Sequence, residues 1–236
     1  MNIEEAIRNA LNGENDYLGF ADLTQVDPGN LSPAGIDLSM YPRAVTVGVR
    51  LIDDVVDLVP RQEERWAAIM HDSMAYDSTN IILDRIGARV ASVLQRNGYH
   101  ALPIPASRRV DDGRICGLFS HKMAAHLAGL GWIGKSCLLV TPDHGPRVRW
   151  TTVLTDAPLA PLGTPLEQRC GDCMECVKNC PTSAIMGRNF VEDEPREVRF
   201  DARLCDENYK RMKAEGKVQV CGMCLYACPY GRKSDR

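Results

Sequence analysis

The chain has no long hydrophobic run and no excess of basic residues. A transmembrane helix needs roughly 18 consecutive apolar residues, and no stretch approaches that length, so we expect no membrane partner. Lysine and arginine number 28 against 31 aspartate and glutamate residues, which gives a formal net charge of −3. Because general nucleic-acid binders usually carry a basic excess, the composition argues against nucleic acid as a partner.

The N-terminus also lacks the pattern of a signal peptide. Its first residues, MNIEEAIRNALNG, predict a short helix with Glu4 and Glu5 in the first turn, whereas a signal peptide has a basic start and an apolar block. We therefore expect a cytoplasmic protein. Thiols stay reduced in that compartment, so the ten cysteines indicate metal or redox chemistry rather than disulfides.

Hydrophobic periodicity predicts a mixed α and β domain in the first two thirds of the chain. The predicted strands cover 43–51, 100–104, 137–141 and 148–155, and the predicted helices cover 62–74, 78–97 and 120–128. A proline-rich connector at 157–165 marks a domain boundary. We expect an α/β cofactor-binding domain at 1–157 and a second, smaller domain at 166–236.

Two cysteine motifs follow the connector. The first, CGDCMECVKNCP at 170–181, has the C-x₂-C-x₂-C-x₃-C-P spacing of bacterial ferredoxins, whose fourth cysteine ligates the other cluster. The second, CGMCLYACP at 221–229, has one cysteine fewer, and Cys205 upstream can supply it. Zinc sites also use C-x₂-C pairs, but they need neither the C-P ending nor a crossed ligand, so the spacing favours iron–sulfur clusters.

Crossing the fourth ligands assigns the eight thiolates to two [4Fe–4S] clusters with none left over. The first set is Cys170, Cys173, Cys176 and Cys228, and the second is Cys180, Cys205, Cys221 and Cys224. Two such clusters form a one-electron relay, with potentials between about −700 and +450 mV according to their surroundings. The other two cysteines, Cys116 and Cys137, are expected to be small buried apolar side chains.

The segment AGLGWIGKSCLLV contains a G-x-G-x-x-G pattern at Gly129, Gly131 and Gly134, followed by Lys135. A dinucleotide site needs the order strand, glycine loop, helix, and here a predicted helix precedes the glycines and a predicted strand follows them. Gly129, Gly134, Lys135 and Ser136 also have the spacing of a Walker loop, but that loop likewise follows a strand and precedes a helix, and the predicted order here is the reverse. The glycines therefore either let the backbone approach a flat or bulky group, or form a tight turn without a ligand.

The residues from AGLGWIGKSCLLV to TDAPL, with the cysteine motifs, resemble the epoxyqueuosine reductases and their relatives, the reductive dehalogenases, over about 128–229. The resemblance implies an α+β protein: a nitroreductase-like α/β sandwich domain that binds cobalamin, then a two-[4Fe–4S] bacterial ferredoxin-like domain. It implies that electrons pass through the clusters to cobalt. It also implies that five residues lie against the tetrapyrrole or its tail: Gly129, Gly131, Trp132, Gly134 and Lys135.

The sequence departs from that family at the proton donor. Where the family has an Asp and a Glu upstream of its G-W-I-G-K motif, this chain has Ile115 and His121. The candidate general acids are Asp111, Asp112, His121 and His126. The family's C-terminal helical repeats, which help to hold tRNA, do not follow Pro229 here. With the acidic net charge, this predicts a short relative that reduces a small organic substrate rather than tRNA.

Two function hypotheses follow from the sequence. The first is an oxidoreductase that takes electrons from an external low-potential donor of the ferredoxin or flavodoxin type and passes them to cobalamin or, alternatively, FMN. The second is an electron-transfer or activating protein for a redox partner such as a corrinoid protein. The 165 or so residues before the cysteine motifs favour the enzyme, because a ferredoxin does not need them. The oligomeric state is left open.

Overall fold

The computed structural model describes residues 2–32 and 34–232. The helices, in chain order, are α1 (Ile3–Leu11), α2 (Pro28–Leu31), α3 (Asp53–Val56), α4 (Arg65–Met70), α5 (Thr79–Arg96), α6 (His121–Leu127), α7 (Glu175–Lys178), α8 (Ala202–Ala214) and α9 (Met223–Tyr226). The strands are β1 (Tyr17–Asp22), β2 (Arg43–Arg50), β3 (Ala101–Ile104), β4 (Trp132–Ile133), β5 (Leu139–Val140) and β6 (Val148–Thr155). A π-helical segment, His71–Ser78, joins α4 to α5. In the described part of the chain, no helix has both the length and the apolar character needed to cross a membrane.

Most predicted elements are present, and two differences have a local cause. The strand expected at 137–141 is reduced to Leu139–Val140 because Cys137 has a φ of 59°, a left-handed conformation that strands do not accept. Strand β1 was not predicted from the sequence. Its signal, the run Tyr17-Leu-Gly-Phe-Ala-Asp22, is short, and a glycine interrupts its β-favouring residues.

The chain forms two compact units that are not two consecutive stretches of sequence. The first contains 1–50, 80–131 and 149–166, and the second contains 51–79, 132–148 and the residues from 167 onward. By this division, the segments 51–79 and 132–148 group with the cysteine motifs rather than with the rest of 1–157. The domain boundaries expected from the sequence stay predictions.

Packing explains why 51–79 joins the second unit. Leu51, Val56 and Ala75 form a buried apolar cluster, and Leu225 of α9 packs against it. Leaving these side chains exposed would forfeit the favourable free energy of burying apolar surface. The assignment therefore depends on contacts between residues far apart in sequence.

The first unit is built on a four-stranded sheet with the order β1-β2-β6-β3. Strands β1 and β2 pair antiparallel from Tyr17 opposite Gly48 to Asp22 opposite Arg43, and β3 pairs antiparallel with β6. Helices α1 and α5 cover one face of this sheet. The core there includes Ile7, Leu11, Phe20, Val45, Val47, Ile86, Val90, Leu94 and Val153.

Helix α6 lies on the opposite face of β1 and β2. Neighbouring residues of a strand point to opposite faces, so Gly19 faces away from Phe20 and its core. A Cβ atom at Gly19 would lie 2.6 Å from the Cβ of Ala128, which shows how closely the chain after α6 approaches the strand. Helices on both faces confirm the mixed α/β class, whereas the specific nitroreductase-like relation stays a prediction.

The second unit gathers short elements around the cysteine motifs. Helices α7 and α9, one in each motif, pack together, and β4 and β5 form a two-stranded hairpin. Arg147 holds the segment at 51–79: its side chain is 4% exposed, and its guanidinium donates to the carboxylates of Asp53 at 3.3 Å and Asp57 at 2.7 Å. The chain also passes close to Arg147 at Gly231, where a Cβ would meet the arginine Cγ at 3.1 Å.

Candidate metal centres

The first cysteine motif forms a tight loop that leads into α7. The amide of Cys173 donates to the carbonyl of Cys170 at 2.9 Å, and Gly171 between them has a φ of 49°, which glycine adopts without a Cβ penalty. Cys176 lies within α7, and Cys180 follows its end. Helix α7 therefore separates Cys180 from the loop that carries Cys170 and Cys173.

Cys228 of the second motif joins three thiols of the first. Burial raises the pKa of the Cys176 thiol to about 11, and Cys170 and Cys173 raise it further by electrostatic repulsion. Burial likewise raises the pKa of Cys228 to about 11, and repulsion from Cys170 and Cys176 acts in the same direction. Cys228 is therefore within electrostatic range of Cys170 and Cys176, as the crossed assignment predicts.

The remaining four cysteines form the second group. Burial raises the pKa of Cys205 to about 11, with repulsion from Cys221 and Cys180. Burial also raises the pKa of Cys224 well above its usual range, and Cys221, Cys205 and Cys180 contribute repulsion. Cys224 is within electrostatic range of Cys176 as well, so the two groups are neighbours.

This donor set fits two iron–sulfur clusters. A cluster ligand must be a thiolate, and burial beside other thiolates opposes that charge unless a cationic centre compensates it. Each cubane takes four thiolates, one at each iron, and two groups of four are present. Among residues 2–32 and 34–232, no set of three or more His, Cys, Asp or Glu side chains is placed to hold a single metal ion.

Contacts among Arg169, Trp132 and Tyr230 connect the first cysteine motif to the second. The Tyr230 hydroxyl donates to the carbonyl of Arg169 at 2.9 Å, and its ring meets the Trp132 ring edge-on with centroids 4.8 Å apart. The Arg169 guanidinium lies 5.5 Å from the Trp132 centroid. Because these residues flank Cys170 and Cys228, they help to hold the two motifs together. Arg169 and Tyr230 were not predicted as site residues, and their signal in the sequence is their proximity to the cysteines.

The glycine-rich segment is a helix end followed by a hairpin. Gly129 has a φ of 76° directly after α6, and a Cβ there would lie 2.8 Å from the carbonyl oxygen of Thr164. The carbonyl of Gly131 faces Nδ1 of His126 at 2.9 Å. Gly129 and Gly131 thus form the turn between helix and strand, which was one of the two alternatives for the glycines.

The other half of that segment packs against the first cysteine loop. Trp132 is wholly buried, and a Cβ at Gly134 would lie 3.5 Å from the Cys170 sulfur. Lys135 donates from Nζ to the carbonyls of Gly171 at 2.7 Å and Cys173 at 3.3 Å. These residues thus contact the first cysteine loop, and their expected contact with a tetrapyrrole stays a prediction.

The four candidate general acids all have hydrogen-bond or ion-pair partners within the first unit. Nδ1 of His121 lies 2.9 Å from the Thr152 hydroxyl, and Nε2 lies 3.1 Å from the carbonyl of Pro105. A carbonyl only accepts hydrogen bonds, so Nε2 carries the proton and Nδ1 accepts. Burial lowers the pKa of His121 to about 4, which keeps the ring neutral at physiological pH.

The other candidates are held as follows. His126 is buried and bonded to Gly131, as described above. Asp111 accepts the amide of Arg114 at 2.8 Å within a turn, and the exposed carboxylate of Asp112 lies 3.6 Å from the Arg109 guanidinium. Ile115 in the same loop has a φ of 51°, which is rare for a β-branched residue and marks local strain.

Comparison with known proteins identifies the cysteine region and the fold. Residues 169–231 match the family described as 4Fe-4S double cluster binding domain. The epoxyqueuosine reductase of Listeria monocytogenes is 32% identical over 137 residues, which cover 53% of this chain and 32% of that protein. The epoxyqueuosine reductase of Aliivibrio fischeri is 24% identical over 248 residues, which cover 99% of this chain and 60% of that protein.

Solved structures extend the likeness over nearly the whole chain. An epoxyqueuosine reductase crystallised with an epoxyqueuosine-modified tRNA stem loop superposes with a TM-score of 0.58 at 18% identity, covering 97% of this chain and 64% of that one. The chain has the epoxyqueuosine reductase fold. A reductive dehalogenase, whose structure suggests a mechanism for B12-dependent dehalogenation, superposes with a TM-score of 0.66 at 19% identity, covering 98% of this chain and 31% of that one.

These findings confirm the resemblance to epoxyqueuosine reductases and reductive dehalogenases. They also confirm an iron–sulfur domain at the C-terminal side of a mixed α/β domain. The chain spans about a third of the Listeria epoxyqueuosine reductase and three fifths of the Aliivibrio one. The activity, substrate and partners of those whole proteins are therefore matters for proposal here.

Proposed function

We propose that this protein is an iron–sulfur reductase whose two [4Fe–4S] clusters pass single electrons to a substrate-reducing centre. One observation carries the proposal: Cys228 lies within electrostatic range of Cys170 and Cys176, and Cys180 lies within electrostatic range of Cys205. A crossed ligand arrangement of this kind would hold two clusters beside one another, as an electron relay requires. The matched double-cluster domain at 169–231 supports it.

The electrons enter from an external low-potential donor of the ferredoxin or flavodoxin type, in the cytoplasm. We propose cobalamin as the acceptor beyond the clusters, because the chain shares its fold with a reductive dehalogenase linked to B12-dependent chemistry. FMN has no comparable support. We assign no reaction step through cobalamin, and its binding is the property to be tested by experiment.

The proposed substrate is a small organic molecule. A net charge of −3 gives little long-range attraction for an RNA backbone. An epoxyqueuosine reductase of the same fold has been crystallised with a tRNA stem loop, so a tRNA stem loop is the competitor to test. Binding of the stem loop at physiological salt would overturn this part of the proposal.

The cluster assignment is tested by iron content after anaerobic purification or reconstitution. The wild-type protein should hold about eight irons per chain. Cys170→Ser, Cys228→Ser and their double variant should each hold about four, because both residues serve the same cluster. Cys170→Ser combined with Cys205→Ser should hold close to none, since those residues serve different clusters.

Cys116→Ser is the matched control and should keep all eight irons, because Cys116 belongs to neither group. Eight irons in the Cys228→Ser variant, or additive losses within one set, would refute the crossed assignment. Visible spectra before and after adding cobalamin then separate the functions. Tight binding of the corrinoid supports the reductase, whereas eight irons without corrinoid binding favour an electron carrier, and a flavin spectrum would point to FMN.

A further inference from the structure

Lys135 is a buried cation in the second unit. The residue is 8% exposed, although lysine is among the residues least often buried without a charged partner. Its three N–H donors meet three neutral acceptors: the carbonyls of Gly171 at 2.7 Å and Cys173 at 3.3 Å, and the Met174 sulfur at 3.7 Å. Within the described residues, no carboxylate lies at ion-pair distance from it.

A buried ammonium of this kind needs a negative charge nearby. Removing a charge from water costs several kcal/mol even after relaxation, and carbonyl dipoles return only part of that. All three acceptors lie in the first cysteine loop, and the preceding residue, Gly134, lies beside the Cys170 sulfur. The negative charge closest to hand is therefore that of the four thiolates and the cluster they would hold.

We propose that Lys135 is a positioning residue whose charge raises the reduction potential of the cluster held by Cys170, Cys173, Cys176 and Cys228. The inference rests on the proposed clusters and goes beyond them by making the two clusters electrically unequal. Lys135 also fixes the loop that carries Cys170 and Cys173 by bonding two of its carbonyls.

The direction of the effect follows from charge. Reduction adds one electron to a cluster that is already negative, and a neighbouring cation stabilises the more negative, reduced form. Because Lys135 is buried, salt screens this interaction much less than it screens a surface pair. Electrons passing through the relay are therefore expected to rest longer on this cluster than on its partner.

The test is potentiometry of the two clusters, followed by electron paramagnetic resonance. Lys135→Met removes charge and hydrogen bonds together, and Lys135→Gln keeps amide donors for the carbonyls but removes the charge. Lys178→Met is the matched control, because it also removes one positive charge near the first cysteine motif. The Lys178 side chain, however, is 68% exposed and pairs with Glu175.

Both neutral variants should lower the potential of one cluster and leave the other unchanged. The expected size is at least tenfold in the ratio of reduced to oxidised cluster at fixed potential, which is about 59 mV for a one-electron couple. Lys135→Arg and Lys178→Met should stay near wild type. If the neutral variants lose four irons while Lys135→Arg keeps eight, the need for the charge is supported as well.

Unchanged potentials in Lys135→Gln, with all eight irons present, would overturn the inference and leave the proposed clusters standing. A shift of equal size in Lys178→Met would also overturn it, because burial would then not matter. A wild-type protein without iron would instead refute the proposed clusters themselves. Iron analysis of the same samples distinguishes these failures.

Discussion

At the residue scale, Arg147 and His121 each connect segments that are distant in sequence. Arg147 reaches Asp53 and Asp57 across about 90 residues, and His121 reaches Thr152. Each loses hydration on folding and recovers it only through the partner it meets there. Removing one partner of such a contact therefore lowers the free energy of unfolding more than removing one partner of a surface pair.

Arg147→Met should destabilise the protein by about 2–4 kcal/mol, in the range for breaking a buried ion pair but moderated because Asp57 is half exposed. Arg61→Met is the control, since its pair with Glu64 is exposed on both sides and should contribute much less to stability. Chemical unfolding midpoints of the anaerobic holoprotein provide the comparison. Equal losses of unfolding free energy in the two variants would contradict a special contribution from the buried Arg147.

His121 predicts a pH dependence. Burial lowers its folded pKa to about 4 from 6.5, so the folded state binds fewer protons than the unfolded state between those values. The stability that neutral His121 provides is thus complete above about pH 6.5 and falls away toward pH 4.

The measurement is the stability difference between wild type and His121→Gln at several pH values, in which the shared titration of carboxylates cancels. The difference should be largest above about pH 6.5 and shrink as the pH falls toward 4. A difference that stays constant across this range would show that the imidazole does not titrate as the burial requires.

At the scale of elements, the sheet of the first unit depends on a glycine under an aromatic ring. Gly48 in β2 lies beneath Trp150 of β6, and a Cβ at Gly48 would meet the indole at 2.6 Å. Tyr17, opposite Gly48 in β1, approaches the same ring with centroids 5.5 Å apart. The indole thus covers a strand position that has no side chain of its own.

Gly48→Ala should cost about 1–3 kcal/mol, the usual penalty for overpacking a filled core. In a Trp150→Leu background the same substitution should cost clearly less, because the ring that it collides with is gone. A double-mutant cycle on unfolding free energies measures this coupling. Additive costs would mean that the ring moves aside freely.

At the scale of the whole molecule, the first unit and the cysteine region after residue 166 differ in how much apolar surface they bury. The first has a continuous apolar core between its sheet and helices α1 and α5. In the described residues after 166, the buried apolar side chains are few and small: Cys176, Ala184, Ile185, Ala202, Val220 and Ala227. A region with so little apolar burial depends on cross-links such as metal clusters for its stability.

Removing the iron with an oxidant and a chelator should therefore loosen the cysteine motifs selectively. Hydrogen exchange at 170–180 and 221–228 should accelerate to near the unfolded rate, whereas amides of β2, β6 and α5 should stay protected. Equal acceleration throughout would mean that the clusters stabilise both units. Unchanged exchange in the cysteine motifs would contradict the dependence on clusters.

Much of the fold and of the site was predictable because its signals are local. Alternating apolar residues predicted β2 and β6, and the helical stripe from 78 to 97 predicted α5 almost to the residue. The cysteine spacing predicted a double-cluster domain, which the family match at 169–231 confirms. The ligands of each cluster, the cobalamin and the proton donor stay predictions.

What the sequence by itself determined is the set of thiols and the regular elements, because spacing and periodicity act over a few residues. Only the tertiary structure decided which distant segments meet. It placed 51–79 and 132–148 with the cysteine motifs, and it brought Lys135 to the carbonyls of Gly171 and Cys173. Such pairings depend on which apolar surfaces and buried charges find partners across the fold, and no local pattern records that outcome.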